Sequence, residues 1–204
     1  MIVTETVKTR KPWILVIDDE EKIINNGLPL LQGALANLAA NGTETGDLQI
    51  ECILNTGSVT DGVHPVITRL IQAREECQRG VPNAWPVAIV TDVNMPSIGI
   101  SGKPLQGDLL QDIPNAIKSS PGGIQLLFVG NNLGIPVILQ TSGSDTRELI
   151  ELAKYFLQYF MRSGEYPAEI AGTFNKITME PDKIAGALAA IMQNSQGTAA
   201  QKCT

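Results

Sequence analysis

Three short, almost unbroken apolar runs constrain the fold more than any other feature of this chain. They are Trp13-Ile14-Leu15-Val16-Ile17, Val87-Ala88-Ile89-Val90-Thr91 and Pro136-Val137-Ile138-Leu139-Gln140. A strand with one face in water alternates apolar and polar residues, whereas a strand without alternation is buried on both faces. Buried strands of this kind belong to parallel sheets covered by helices. Residues 48–53 (Leu-Gln-Ile-Glu-Cys-Ile) do alternate, and the run near Phe174 is short and mixed, so both are expected at sheet edges. Strands at 13–18, 87–92 and 136–141 then occupy the centre. The order becomes 2-1-3-4-5, a flavodoxin-like doubly wound α/β sheet of five parallel strands with helices on both faces. Ligands of such a sheet sit at the switch point beyond the first and third strands.

Helical spacing fills the intervals. Ile24, Leu28, Leu31, Leu35 and Leu38 recur every three or four residues, predicting a helix over 21–40 that Pro29 kinks or restarts. Pro65 opens a second helix carrying Val66, Ile67, Leu70, Ile71 and Cys77. A third is expected around 105–118 and a fourth from Asp145, with a stripe of Leu149, Leu152, Phe156 and Tyr159. Pro181 starts the last, with Ile184, Leu188 and Ile191 facing inward. Residues 94–104 and 119–134, rich in Gly, Pro, Ser and Asn, read as loops. The domain is expected to span 13–193, between a flexible segment at 1–12 and a disordered tail at 194–204.

Composition narrows the function. With 204 residues, 43% of them apolar, the chain can bury a substantial core. A net charge of −6 without a dense basic cluster argues against nucleic-acid binding. No apolar stretch reaches the length of a membrane span, and the polar N-terminus carries no signal-peptide core. Cys52, Cys77 and Cys203 are odd in number and lack metal-ligand spacing, so they read as reduced thiols of a cytoplasmic protein.

Chemistry gathers at the strand ends. Asp18 and Asp19 close the first run and Asp92 closes the next, bringing three acids to the switch point. Two like charges about 4 Å apart cost roughly 4 kcal/mol at an effective dielectric of 20, so the arrangement calls for a cation. Thr141, with Ser142 and Gly143, ends the fourth strand, and Lys176 follows Phe174-Asn175 at the end of the fifth.

In that order the set resembles the receiver domain of two-component response regulators. The stretches that carry the likeness are Ile14 through Glu20, Asp92-Val93-Asn94-Met95-Pro96, Pro136 through Ser142 and Phe174-Asn175-Lys176, within residues 13 to 192. The resemblance implies that Asp92 is the phosphoacceptor. It implies Mg²⁺ held directly by Asp19 and Asp92, through water by Asp18, and by the backbone carbonyl of Asn94. Hard oxygen donors with retained waters suit that ion. It further implies that Thr141 is the switch hydroxyl, that Lys176 offsets phosphoryl charge, and that Asn94 and Gly143 tune dephosphorylation. The implied partners are a histidine kinase or phosphotransfer protein, a downstream protein target, and in some states a second copy of the chain. Only self-phosphorylation and self-dephosphorylation are expected as chemistry. Few residues remain after Met192, so no output domain is expected.

Two positions depart from the family pattern: Ile177 follows the lysine where proline is usual, and Thr173 stands where an aromatic is common. The intervals are long, 73 positions from Asp19 to Asp92, 49 from Asp92 to Thr141 and 35 from Thr141 to Lys176. These features leave open a binding module of the same fold that does not depend on phosphorylation. A phosphohydrolase of the haloacid-dehalogenase type uses the same residue types, but with its nucleophile on the first strand and its acid pair last. The order here is the reverse.

Overall fold

The computed structural model describes residues 10–43, 45, 47–57, 64–98, 120–141, 151, 170–175 and 180–195, with the backbone alone for 170–175 and Ser195. Five parallel strands are β1 (Trp13–Asp18), β2 (Gln49–Leu54), β3 (Ile89–Asp92), β4 (Val137–Thr141) and β5 (Ile170–Asn175). Their order is β2-β1-β3-β4-β5. The sequence led to the order 2-1-3-4 for the first four, and β5 runs along the far side of β4 with a register shift between Val137 and Ile138. The architecture is compatible with the flavodoxin-like arrangement.

Four helices are described in full: α1 (Glu21–Ala40), α2 (Pro65–Gln78), α3 (Gly122–Asn132) and α4 (Pro181–Ser195). Alternation along the strands sorts them into two layers. Trp13, Leu15, Ile17, Ile89, Val137 and Leu139 pack with Val66, Ile67 and Leu70 of α2 and with Ile124, Leu127 and Phe128 of α3. Ile14, Val16, Ala88, Val90 and Ile138 pack with Leu31, Ala34 and Leu35 of α1 and with Ile184, Ala185 and Leu188 of α4. The strands are therefore covered on both faces, which is why β1 and β3 show no alternation. β2 at the edge has no fully buried residue.

Several sequence expectations need correction. The expected loop at 119–134 contains α3, whose residues Gly122 through Asn131 are all buried. Its three glycines and terminal asparagines carry loop composition, yet Ile124-Gln125-Leu126-Leu127-Phe128-Val129 is apolar enough for tertiary burial to outweigh weak local propensity. α1 continues through Pro29 as one helix. α4 extends to Ser195, past the point where the tail was expected to begin. Cys52 is a free thiol, but Cys77 is disulfide-bonded, so the reading of all cysteines as reduced does not hold. The support it lent to a cytoplasmic location goes with it. No described helix is long and apolar enough to cross a membrane. The helices expected at 105–118 and from Asp145 onward lie outside the described residues, except for helical Glu151.

At the opposite end of β1 from the acids, two arginines enclose an indole. The Arg10 and Arg69 guanidinium carbons lie 4.4 and 4.0 Å from the centroid of the Trp13 ring. Arg69 Nε donates to Glu51 at 2.7 Å, while Arg10 pairs with both Glu51 and Glu76. The indole N–H donates to the Asn83 carbonyl at 3.0 Å. Strand β1 is thereby anchored at its start to both β2 and α2.

Candidate functional site

The acids reach one level of the sheet because of strand register. β1 pairs with β3 as Leu15↔Ile89, Val16↔Val90 and Ile17↔Thr91, so Asp18 and Asp92 are each the next residue on adjacent strands. Adjacent strands lie about 4.8 Å apart. By the period of two, Asp18 follows Ile14 and Val16 on the layer of α1 and α4, and Asp92 follows Ala88 and Val90 on the same layer. Asp92 also pairs with Gln140 of β4. Asp18 and Gln140 both line a small, mainly apolar cleft with Val16, Val90, Cys52 and Ile184.

Asp18 is 1% exposed and Asp92 5%, while Asp19 is half-buried. The chain turns immediately after β1. The Glu20 N–H donates to Asp18 Oδ1 at 2.8 Å, and the Glu20 carbonyl accepts from Ile23 and Ile24 to begin α1. Glu20 occupies the helix N-cap, where Ser, Thr, Asp or Asn is preferred, and its carboxylate makes no capping bond. Instead that carboxylate groups with the two before it. Among the described residues, Asp18, Asp19 and Glu20 each present a ligand oxygen, and these oxygens all lie within 4.8 Å of one another. Like charges held this close repel one another, although water screens the exposed Glu20 and the half-buried Asp19. Three carboxylate oxygens, one from a buried group, form a hard donor set of the kind that holds Mg²⁺. They fit a divalent ion.

Asp92 stands outside that tight group, at the base of a closely held loop. Thr91 Oγ1 donates to the Asp92 carbonyl at 3.1 Å, and the Val93 N–H donates to the Gln140 carbonyl at 2.9 Å. The N-terminus of α3 presses on this backbone. A Cβ on Gly123 would collide with the Asp92 carbonyl oxygen and stand 2.7 Å from Val93 Cα. One on Gly122 would collide with the Pro96 carbonyl, and the Gly122 N–H donates to the Met95 carbonyl at 2.9 Å. Gln125, fully buried, accepts from the Ile98 N–H at 2.9 Å and exchanges hydrogen bonds with Ser97 Oγ.

The other expected site residues are placed as follows. Asn94 is exposed in the turn after β3, and Thr141 is half-buried at the end of β4, paired with Asn175 of β5. Lys176, Ser142, Gly143 and Ile177 lie outside the described residues. Thr173 belongs to β5, where only the backbone is described. Sequence reasoning missed Glu20 and Gln140. The first had a legible signal, a third acid in direct succession; the second had none, because its place beside Asp92 comes from register alone.

No family model matches this chain, and no curated protein matches it. Among solved structures it is similar to the signal receiver domain of an HD domain-containing protein from Pseudomonas fluorescens Pf-5. The identity is 14% and the TM-score 0.47, over 98% of this chain and 99% of that one. It is also similar, at 14% identity and a TM-score of 0.44, to a fusion carrying yeast Spc42 trimeric coiled-coil amino acids 181–211, over 94% of this chain and 86% of that one. Likeness at this level assigns neither a family nor a function to the chain.

Proposed function

We propose that this protein is a phosphoacceptor receiver of a two-component phosphorelay, phosphorylated on Asp92 with Mg²⁺ and signalling by protein contact. The observation that carries the reading is the adjacency of Asp18 and Asp92 at one level of two neighbouring central strands, with the Asp18-Asp19-Glu20 cluster beside them.

In this reading the Asp92 carboxylate attacks phosphorus on a phosphohistidine of a kinase or phosphotransfer protein. An O–P bond forms as the P–N bond breaks, and the departing imidazole takes up a proton. Asp19, Asp92 and the Asn94 carbonyl would hold the ion directly and Asp18 through water. When bound, Mg²⁺ supplies positive charge that offsets the acids and the incoming phosphoryl group. Lys176 would add an ammonium there, and Thr141 would donate to a phosphoryl oxygen and report its presence by turning inward. Asn94 and Gly143 would tune hydrolysis. Such a protein would act in the cytoplasm, through a protein target and without nucleic acid or membrane.

Incubation with acetyl phosphate and Mg²⁺, followed by intact-mass measurement and peptide mapping, tests the reading. One phosphoryl group on the peptide containing Asp92, absent from Asp92→Asn, is the expected result. Its absence from the wild type overturns the proposal.

A second reading, a binding module of this fold independent of phosphorylation, draws on the third member of the tight acidic cluster being Glu20 rather than Asp92. Beryllofluoride with Mg²⁺ separates the two. A backbone spectrum that does not respond favours the module.

A further inference from the structure

Deepening the receiver reading, we infer that Asn55 is a positioning residue that clasps the acidic ends of β1 and β3 together, with His64 setting the orientation of its amide. Asn55 is fully buried just after β2. Its backbone N–H donates to the Asp18 carbonyl at 2.7 Å. Its side-chain Nδ2 donates to the Pro96 carbonyl at 2.8 Å, four residues beyond Asp92. One residue thus bonds to the β1 end through its main chain and to the loop after β3 through its side chain.

The amide can sit only one way round. Asn55 Oδ1 accepts from the Gly57 N–H at 3.0 Å and lies 2.8 Å from His64 Nε2. His64 Nδ1 accepts from the Val66 N–H at 3.2 Å, so that nitrogen carries no proton and the ring hydrogen is on Nε2. Nε2–H therefore donates to Oδ1. With two donors facing the oxygen, Nδ2 is left to face Pro96. His64 is 3% exposed and caps α2, so the orientation of the clasp is tied to a helix end.

The loop that Asn55 holds is the one carrying Asn94, and Gln125 and Gly122 hold its other points. Those two bonds attach the loop to α3. The Asn55 bond attaches it to the β1 side, where the acid cluster lies. Removing the Nδ2–H donor loosens the loop after β3 from the end of β1 without emptying the apolar core. Outer residues that orient metal ligands are typically worth ten- to a hundredfold in affinity.

Asn55→Asp is the informative variant, since it keeps the size and the oxygen facing His64 and Gly57 but has no hydrogen to donate to Pro96. Mg²⁺ titrated calorimetrically into the folded full chain should bind about tenfold more weakly, and acetyl phosphate should modify Asp92 about tenfold more slowly. Asn55→Ser, smaller and without added charge, should behave alike, while His64→Gln, which retains a donor and an acceptor, should stay near wild type. Backbone hydrogen exchange, read without metal, should quicken together at Asp19–Glu20 and at Val93–Ile98 in both Asn55 variants. Folded variants with wild-type affinity and rate, or exchange that quickens at one end alone, overturn the clasp. A wild type that binds no Mg²⁺ and takes no phosphoryl group removes the receiver reading, and the exchange measurement then decides the clasp by itself.

Discussion

Gly123 packs so closely on the carbonyl of Asp92 that a Cβ there would collide with its oxygen, leaving no room for a side chain between α3 and the end of β3. Gly123→Ala must move either the helix or the backbone that carries the proposed phosphoacceptor, because the obstacle is main chain and cannot rotate aside. We expect a loss of about 1–3 kcal/mol, the usual cost of overpacking, measured by urea denaturation. Acetyl phosphate should also modify the folded variant more slowly.

Asp92→Asn should leave the fold intact and abolish phosphorylation. It removes a charge from a crowded acidic rim, so midpoint stability without metal should stay the same or rise, by up to about 1 kcal/mol. Thermal unfolding with and without Mg²⁺ checks this. The stabilisation by Mg²⁺ should shrink in the variant.

His64 makes stability pH-dependent. Burial holds the imidazole below its ordinary pKa of 6.5, so between that value and its folded one the unfolded chain binds a proton that the native protein resists. This contribution is fully present above pH 6.5 and is lost as pH falls through the folded value, with a slope of at most about 1.4 kcal/mol per pH unit. Unfolding free energies across that range, compared between wild type and His64→Gln, should show a shallower dependence in the variant.

Arg69→Ala withdraws a guanidinium 4.0 Å from the Trp13 ring and a partner from Glu51. The expected cost is about 1–3 kcal/mol, from lost cation–π contact and the packing of the arginine stem. Trp13 fluorescence during denaturation reads it, and phosphorylation of Asp92 should be unaffected because this contact lies at the far end of β1.

Local pattern carried much of the fold. The unbroken apolar runs at Trp13–Ile17 and Ile89–Thr91 announced central strands, because burial on both faces leaves no polar period. Pro65 and Pro181 announced helix starts, where a missing N–H costs nothing. The acids at 18, 19 and 92 were visible for the same reason, since a carboxylate closing a buried strand stands out against its neighbours.

What only the folded chain decided was anything set by distant contact. α3 has the local composition of a loop and becomes a helix because its apolar residues are enclosed on every side. Gln140 reaches Asp92 through strand register, and Asn55 joins Asp18 to Pro96 through two hydrogen bonds that span the sequence. Short-range propensity records what each residue prefers. Which carboxylates, amides and glycines become neighbours depends on strand order and helix packing, and those free energies arise only once the layers close on one another.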